Sequence, residues 1–186
     1  YGFSHAVASV DINCDGFNDI YSGNALLICD GTGKFSHQSK DLPEGFHKNQ
    51  KVNAFASTIA DFNGDGCGDI AMSYHGFTKV WMSQYGSHWQ RTFNDLEIEN
   101  YYGQGNLSIN HMNSGDLDGD GDPDLVAGVH RVKPYYKGRK ILIFINQDGK
   151  LVEKTKTLIQ DVRDQDVNGM QQGQGEGVIF LKDHDR

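Results

Sequence analysis

Short apolar runs alternate with glycine-bearing polar turns along most of the chain, and this pattern predicts short β-strands. The strands fall into three similar units. The predicted first strands are 6–10, 55–60 and 107–114, the second 20–23, 70–74 and 125–129, and the third 25–29, 78–82 and 141–145. A glycine-bearing turn then leads to a fourth strand near Phe35, Trp89 and Leu151. No segment has convincing helical periodicity.

The three units repeat every 50 to 55 residues, because a characteristic loop starts at residues 11, 61 and 116. Four short strands in such a period are typical of a propeller blade. The sequence therefore predicts an all-β fold, a β-propeller segment of about three four-stranded blades plus the start of a fourth. The approximate blades are 1–50, 51–104 and 105–166, and the next blade starts within 167–186.

The loop between the first and second strand of each unit carries oxygen donors at positions 1, 3, 5 and 9 and glycine at position 6. Ca²⁺ prefers about six to eight such oxygens, and alternate side chains of a tight loop can converge on one ion. An EF-hand needs glutamate at position 12, where this chain has Ser22, Met72 and Ala127. The loops therefore indicate Ca²⁺ binding in a β context, and metal-free Asx-rich turns are the alternative.

The formal net charge is −8, and ten of the aspartates stand at positions 1, 3, 5 and 9 of the three loops. Three bound Ca²⁺ ions would offset six negative charges, so the acidity indicates metal ligation rather than a repulsive surface. Nothing in this balance favours a nucleic-acid partner. No apolar run approaches the roughly 20 residues of a membrane span.

Three cysteines, Cys14, Cys29 and Cys67, are too few and too irregularly spaced for a zinc site or a disulfide framework. One pair with a free thiol is one interpretation, and Cys14 with Cys29 is then the favoured pair because they lie one hairpin apart. Three buried thiols are the alternative.

The repeated loop resembles the FG-GAP repeat, also called the VCBS-type repeat, of the integrin α-subunit propeller and of many secreted proteins. The resemblance covers nearly the whole chain, although the Phe-Gly and Gly-Ala-Pro signatures are poorly kept. It implies one Ca²⁺ in each of three loops and a larger ring of seven blades. Asp183 and Asp185 match positions 1 and 3 of a further loop, so a fourth site starting at Asp183 is an open alternative. The metal ligands that the resemblance implies are Asp11, Asn13, Asp15, Asp19 and the Phe17 carbonyl; Asp61, Asn63, Asp65, Asp69 and the Cys67 carbonyl; and Asp116, Asp118, Asp120, Asp124 and the Asp122 carbonyl.

Candidate recognition residues lie in the connection 131–140, which holds five positive charges, no acid and two tyrosines. Aromatic and cationic side chains suit an acidic or glycan partner. A solvated loop and ordinary strand-end histidines are the alternatives. The candidate ligand-binding residues are Arg131, Tyr135, Tyr136, Arg139, His75 and His130. Asn106 begins the single N-glycosylation sequon.

The sequence favours a non-catalytic, Ca²⁺-stabilised propeller for recognition or cell adhesion, extracellular or secreted, with a protein or glycan ligand. The remaining propeller blades or neighbouring subunits are further expected partners. No nucleophile–histidine–acid arrangement or paired catalytic carboxylates can be argued from local spacing, so no enzyme activity is expected. The alternative is the propeller portion of a secreted carbohydrate-active enzyme, or a lectin.

Overall fold

The computed structural model describes residues 7–22, 25–38, 56–74, 77–84, 88–91, 96, 98, 106–133 and 140–159. These residues form twelve β-strands and one short helix. The elements are β1 (Ala8–Val10), β2 (Asp19–Ser22), β3 (Ala25–Cys29), β4 (Phe35–His37), β5 (Ala56–Ala60), β6 (Asp69–Tyr74), β7 (Phe77–Gln84), β8 (His88–Arg91), β9 (Leu107–Gly115), β10 (Asp124–Arg131), β11 (Lys140–Gln147), β12 (Lys150–Glu153) and α1 (Thr155–Leu158).

The strands form three four-stranded sheets, and each sheet takes its strands in chain order as an antiparallel meander. The all-β class and the four strands per repeat are therefore confirmed. The register between the second and third strands is equivalent in the three sheets. The residue that follows position 9 of the loop pairs with the third strand each time: Ile20 with Leu27, Ile70 with Trp81, and Leu125 with Phe144. The helix α1 corrects the expectation of no helical segment, although it is only one turn long.

The first strands of the sheets lie side by side, β1 against β5 and β5 against β9. Hydroxyl contacts join two of them, because Thr58 Oγ1 lies 3.1 Å from Ser114 Oγ. Ser114 Oγ also donates to the Ile59 carbonyl at 3.3 Å. Sheets that meet through their first strands are arranged as propeller blades, so the described residues form a partial propeller.

Apolar residues fill the space between neighbouring sheets, because each sheet has to bury its faces against the next one. Between the first and second sheets, Ile12, Tyr21 and Leu26 pack with Ile70 and Met72. Between the second and third sheets the cluster is larger; its fully buried members include Phe62, Ala71, Leu125, Leu142 and Phe144. The core therefore lies between blades.

Gly68 brings the second acidic loop, which starts at Asp61, against the first blade. Its N–H donates to the Asp11 carbonyl at 2.8 Å. A Cβ at this position would clash with Val10 Cγ1 and would lie only 2.9 Å from Ile59 Cγ2. Glycine fits here because a larger residue would overlap these two side chains at the point where the Gly68–Asp11 backbone hydrogen bond joins the blades.

A disulfide joins Cys14 to Cys67, with a Cα–Cα distance of 5.1 Å, and Cys29 is a buried free cysteine. The favoured pairing of Cys14 with Cys29 is therefore wrong, as is the alternative of three thiols. Cys29 lies at the end of β3, in the same blade as Cys14. Cys67 belongs to the loop of the neighbouring blade, and the packing of the two blades brings it beside Cys14.

Several expectations fall outside the described residues, namely the start of the fourth blade at 167–186 and the loop beginning at Asp183. The blade boundaries stay predictions. Within the described ranges, no helix has the length and apolar character that crossing a bilayer requires.

The contact at Gly68 predicts that Gly68→Ala destabilises the fold by about 1–3 kcal/mol, because the added methyl group overpacks the junction between blades. Denaturant unfolding measures the change. Gly128→Ala is the matched control, since a Cβ there would meet only His111 Cβ at 3.9 Å, an ordinary contact. Equal stability of the two variants would contradict the close approach at Gly68.

Candidate metal centre

The aspartate at position 1 folds each loop by accepting two backbone N–H groups. Asp11 accepts from Asp15 at 3.1 Å and from Gly16 at 2.7 Å. Asp61 accepts from the equivalent residues of the second loop at 3.0 and 2.8 Å. In the third loop, Asp116 accepts from Gly119 at 2.7 Å and from Gly121 at 3.1 Å. The position-1 carboxylate is therefore held at the centre of the turn.

Positions 3 and 5 converge in the first two loops through Asx-type hydrogen bonds. Asn13 Oδ1 accepts the Asp15 N–H at 3.2 Å, and Asn13 Nδ2 donates to Asp15 Oδ2 at 2.9 Å. Asn63 and Asp65 repeat both bonds at 2.9 and 3.3 Å. The predicted ligands at these positions are thus neighbours in space.

The third loop brings three carboxylates together, because single oxygens of Asp116, Asp118 and Asp120 all lie within 4.8 Å of one another. All three residues are exposed. Like charges at this separation repel, and a hard divalent cation with a preference for oxygen ligands would offset that repulsion. The donor set therefore fits Ca²⁺, and Asp11, Asn13, Asp15, Asp61, Asn63 and Asp65 offer the equivalent oxygens in the other loops.

The loop backbone reaches this arrangement through left-handed residues. At position 6, Gly16, Gly66 and Gly121 have φ of 90°, 89° and 98°. Glycine adopts this conformation at little cost, which explains why all three loops have it there.

The aspartate at position 9 is a buried bracket between the loop and the third strand of its blade. Asp19 accepts the Ile12 N–H at 3.0 Å and the Cys29 N–H at 2.8 Å. Asp124 accepts the Leu117 N–H at 2.7 Å and the Asn146 N–H at 2.8 Å.

Asp69 has the same position in the second loop and accepts from Phe62 at 2.8 Å and from Asn63 at 3.2 Å. The sequence analysis treated the position-9 residues only as metal ligands and missed this role. The sequence did offer a signal for this role, the large apolar residue at position 2 of every loop. Its backbone N–H donates to the position-9 carboxylate.

Burial controls the charge of these brackets. Asp19, Asp69 and Asp124 are all 0% exposed. Desolvation raises the pKa of Asp19 and of Asp124, although their backbone hydrogen bonds act in the opposite direction. The carboxyl groups of Asp19 and Asp124 therefore bind a proton more tightly in the folded state than in the unfolded chain. Their ionisation at neutral pH lowers the free energy of unfolding of the metal-free protein. A cation beside the loop would offset that cost.

Position 7 supplies a backbone N–H to position 5 in every loop. Phe17 and Cys67 donate to Asp15 and Asp65 at 2.9 Å. Asp122 donates to Asp120, also at 2.9 Å. These bonds fix the peptide that joins positions 6 and 7, and ligation by the position-7 carbonyl, which lies on the following peptide, stays a prediction.

The candidate recognition residues are only partly described. His75, Tyr135, Tyr136 and Arg139 lie outside the described residues. His130 is buried, at 3% exposure, which accords with the alternative of an ordinary strand-end histidine. Arg131 is half-buried at the end of β10.

Asn106 fastens the base of the recognition connection. Its Oδ1 accepts the Lys133 N–H at 2.6 Å, and its Nδ2 donates to the Lys133 carbonyl at 2.9 Å. The sequon asparagine therefore holds the backbone that leads into residues 134–139. Its glycosylation stays a prediction.

Comparison with known proteins supports the repeat that these loops define. Residues 112–140 match the FG-GAP repeat family, and this stretch contains the third loop and all of β10. The resemblance seen in the sequence is therefore confirmed for this repeat. A search of curated proteins found no match.

Among solved structures, this chain is similar to the crystal structure of BBS1N in complex with ARL6DN, soaked with mercury. The sequences are 16% identical and the TM-score is 0.46. The match covers 81% of this chain and 43% of that chain, so this chain spans less than half of its length.

The two kinds of aspartate should respond differently to truncation. Asp124→Ala should destabilise metal-free protein by about 2 kcal/mol or more, because two N–H groups lose their acceptor in a buried site. Asp118→Ala should change metal-free stability by less than about 0.5 kcal/mol, since Asp118 is exposed. Denaturant unfolding in chelator measures both variants. Comparable losses would show that position 9 is no bracket.

Proposed function

We propose that this chain is a non-catalytic recognition module, a partial propeller whose loops are stabilised by Ca²⁺ and which acts outside the cell on a protein or glycan ligand. The observation that carries the proposal is the repeated loop, in which the same oxygen donors converge in three blades. A bound Ca²⁺ would neutralise the acidic loop and rigidify the blade edge. The residues that would hold it are those at positions 1, 3 and 5, with position 9 and the position-7 carbonyl completing the set.

An extracellular setting is supported by the Cys14–Cys67 disulfide, because such bonds persist in oxidising compartments. Extracellular fluids also contain enough Ca²⁺ to fill sites of modest affinity. The two features are independent of each other, and both favour secretion.

Recognition is assigned to the connection 131–140. Val132 is 36% exposed and Lys133 is exposed, so the start of this segment faces solvent. Two hydrogen bonds between Asn106 and the Lys133 backbone hold the start of this segment. Residues that are already ordered lose less conformational entropy when a ligand binds. The cationic residues and the two tyrosines of 131–140 suit an acidic protein or glycan surface.

Calorimetric titration of chelator-treated protein should give a stoichiometry near three Ca²⁺ per chain. Asp120→Ala should remove one site, because a side-chain oxygen of the third loop is lost. Asp122→Ala should retain all three sites, since position 7 offers only its backbone carbonyl. A wild-type stoichiometry of zero or one would refute Ca²⁺ stabilisation, and equal effects of the two variants would refute the positional assignment.

Ligand recognition is tested by replacing Arg131, Tyr135, Tyr136 and Arg139 together with alanine. Binding to a glycan array or to a panel of acidic extracellular proteins should fall at least tenfold, because the aromatic and cationic contacts are removed. Ca²⁺ stoichiometry and the thermal midpoint should stay unchanged.

The matched control removes the same number of positive charges elsewhere. Lys34→Ala with Lys150→Ala changes two exposed lysines, one in the β3–β4 turn and one at the start of β12. This variant should bind as well as wild type. Equal losses in both variants would indicate general charge attraction, and retained binding in the four-residue variant would exclude the connection as the recognition surface.

A further inference from the structure

The Cys14–Cys67 disulfide joins two candidate Ca²⁺ loops. Cys14 is position 4 of the first loop, between the predicted ligands Asn13 and Asp15. Cys67 is position 7 of the second loop, where the backbone carbonyl is the predicted ligand. A covalent bond thus connects the ligand-bearing segments of neighbouring blades.

Hydrogen bonds from backbone N–H groups next to the disulfide join the Cys67 segment to ligand-bearing residues of both loops. The Cys67 N–H donates to Asp65 Oδ1 at 2.9 Å, so the cysteine is tied to position 5 of its own loop. The next residue, Gly68, donates its N–H to the Asp11 carbonyl at 2.8 Å. Asp11 is position 1 of the first loop, and its carboxylate accepts the N–H groups of that loop. A shift of the Cys67 segment therefore moves groups in both loops.

The disulfide requires a cysteine at a loop position whose backbone conformation favours glycine. Its φ is 60°, whereas position 4 of the other two loops is glycine, Gly64 and Gly119, with φ of 74° and 84°. A left-handed conformation is unfavourable for a residue with a Cβ. The first loop has a cysteine at a position suited to glycine, and this cysteine forms the disulfide.

The third loop has no such link. Its positions 4 and 7 are Gly119 and Asp122. At the junction with the second blade, Asn146 Nδ2 donates to the Phe62 carbonyl at 2.9 Å and to the Pro123 carbonyl at 3.2 Å. The third loop is therefore an internal control for any effect of the disulfide.

We propose that the Cys14–Cys67 disulfide makes the first and second loops one coupled pair of Ca²⁺ sites whose affinity falls on reduction, while the third loop binds independently. The inference rests on the Ca²⁺ binding proposed above. Cys14 is exposed and is the accessible end of the bond. A dithiol reductant would cleave the S–S bond with two electrons and two protons, giving two cysteine thiols and the oxidised reductant.

The test uses two backgrounds of the full chain. Asp118→Ala with Asp120→Ala disables the third loop, so calorimetry reports the coupled pair. Asp15→Ala with Asp65→Ala disables the first two loops, so calorimetry reports the third. Reduction by a dithiol should weaken Ca²⁺ binding roughly tenfold in the first background, because ordering the unlinked loops costs entropy, and less than about twofold in the second.

Coupling is measured within the pair. In oxidised protein whose third loop is disabled, Asp15→Asn should also weaken binding at the second loop; in reduced protein this effect should vanish. Cys14→Gly with Cys67→Ser should bind like reduced protein and should not respond to reductant. The glycine keeps the positive φ, so this variant removes the link without disturbing the turn. Circular dichroism confirms that it is folded.

Each outcome supports or overturns the inference. Equal changes in the two backgrounds, or no change on reduction, would contradict it while leaving Ca²⁺ binding intact. Absence of Ca²⁺ binding in oxidised wild-type protein would overturn both the proposed function and this inference. Selective, reductant-dependent weakening of the first two loops supports it.

Discussion

The buried carboxylate at position 9 is the constraint on which each blade depends. In the first and third blades it accepts one N–H from the loop and one from the third strand. In the second blade it accepts two N–H groups from the loop. Without it, buried donors would have no acceptor and the loop would lose its anchor to the sheet. Burial makes its negative charge costly, and this cost gives the fold a physical reason to place a cation nearby.

The same loops also build the junctions between blades, by different means at each junction. The first junction has the Gly68 N–H bond to Asp11 and the disulfide. The second has the buried Asn146, which contacts the carbonyls of Phe62 and Pro123. The candidate metal-binding loops and the junctions between blades therefore share backbone segments, so a change in one is expected to reach the other.

The strand pattern and the loop geometry were predictable because both depend on residues close in sequence. Asp11, Asp15 and Gly16 form their hydrogen bonds within one turn, so the donor spacing alone indicated their convergence. The bracket role of Asp19 was missed because one of its donors, Cys29, comes from another strand. The cysteine pairing was wrong for a related reason, since sequence proximity favoured Cys29 although blade packing brings Cys67 to Cys14.

The sequence by itself determined the repeat, the all-β class and the oxygen donors of each loop, because these follow from local spacing and from the conformational freedom of glycine at position 6. Only the tertiary structure decided the disulfide, the close approach at Gly68, the role of Asn146 and the burial of His130. These features arise where separate strands or blades meet. Their contacts depend on how sheets pack, and the spacing of residues within one repeat carries no information about that packing.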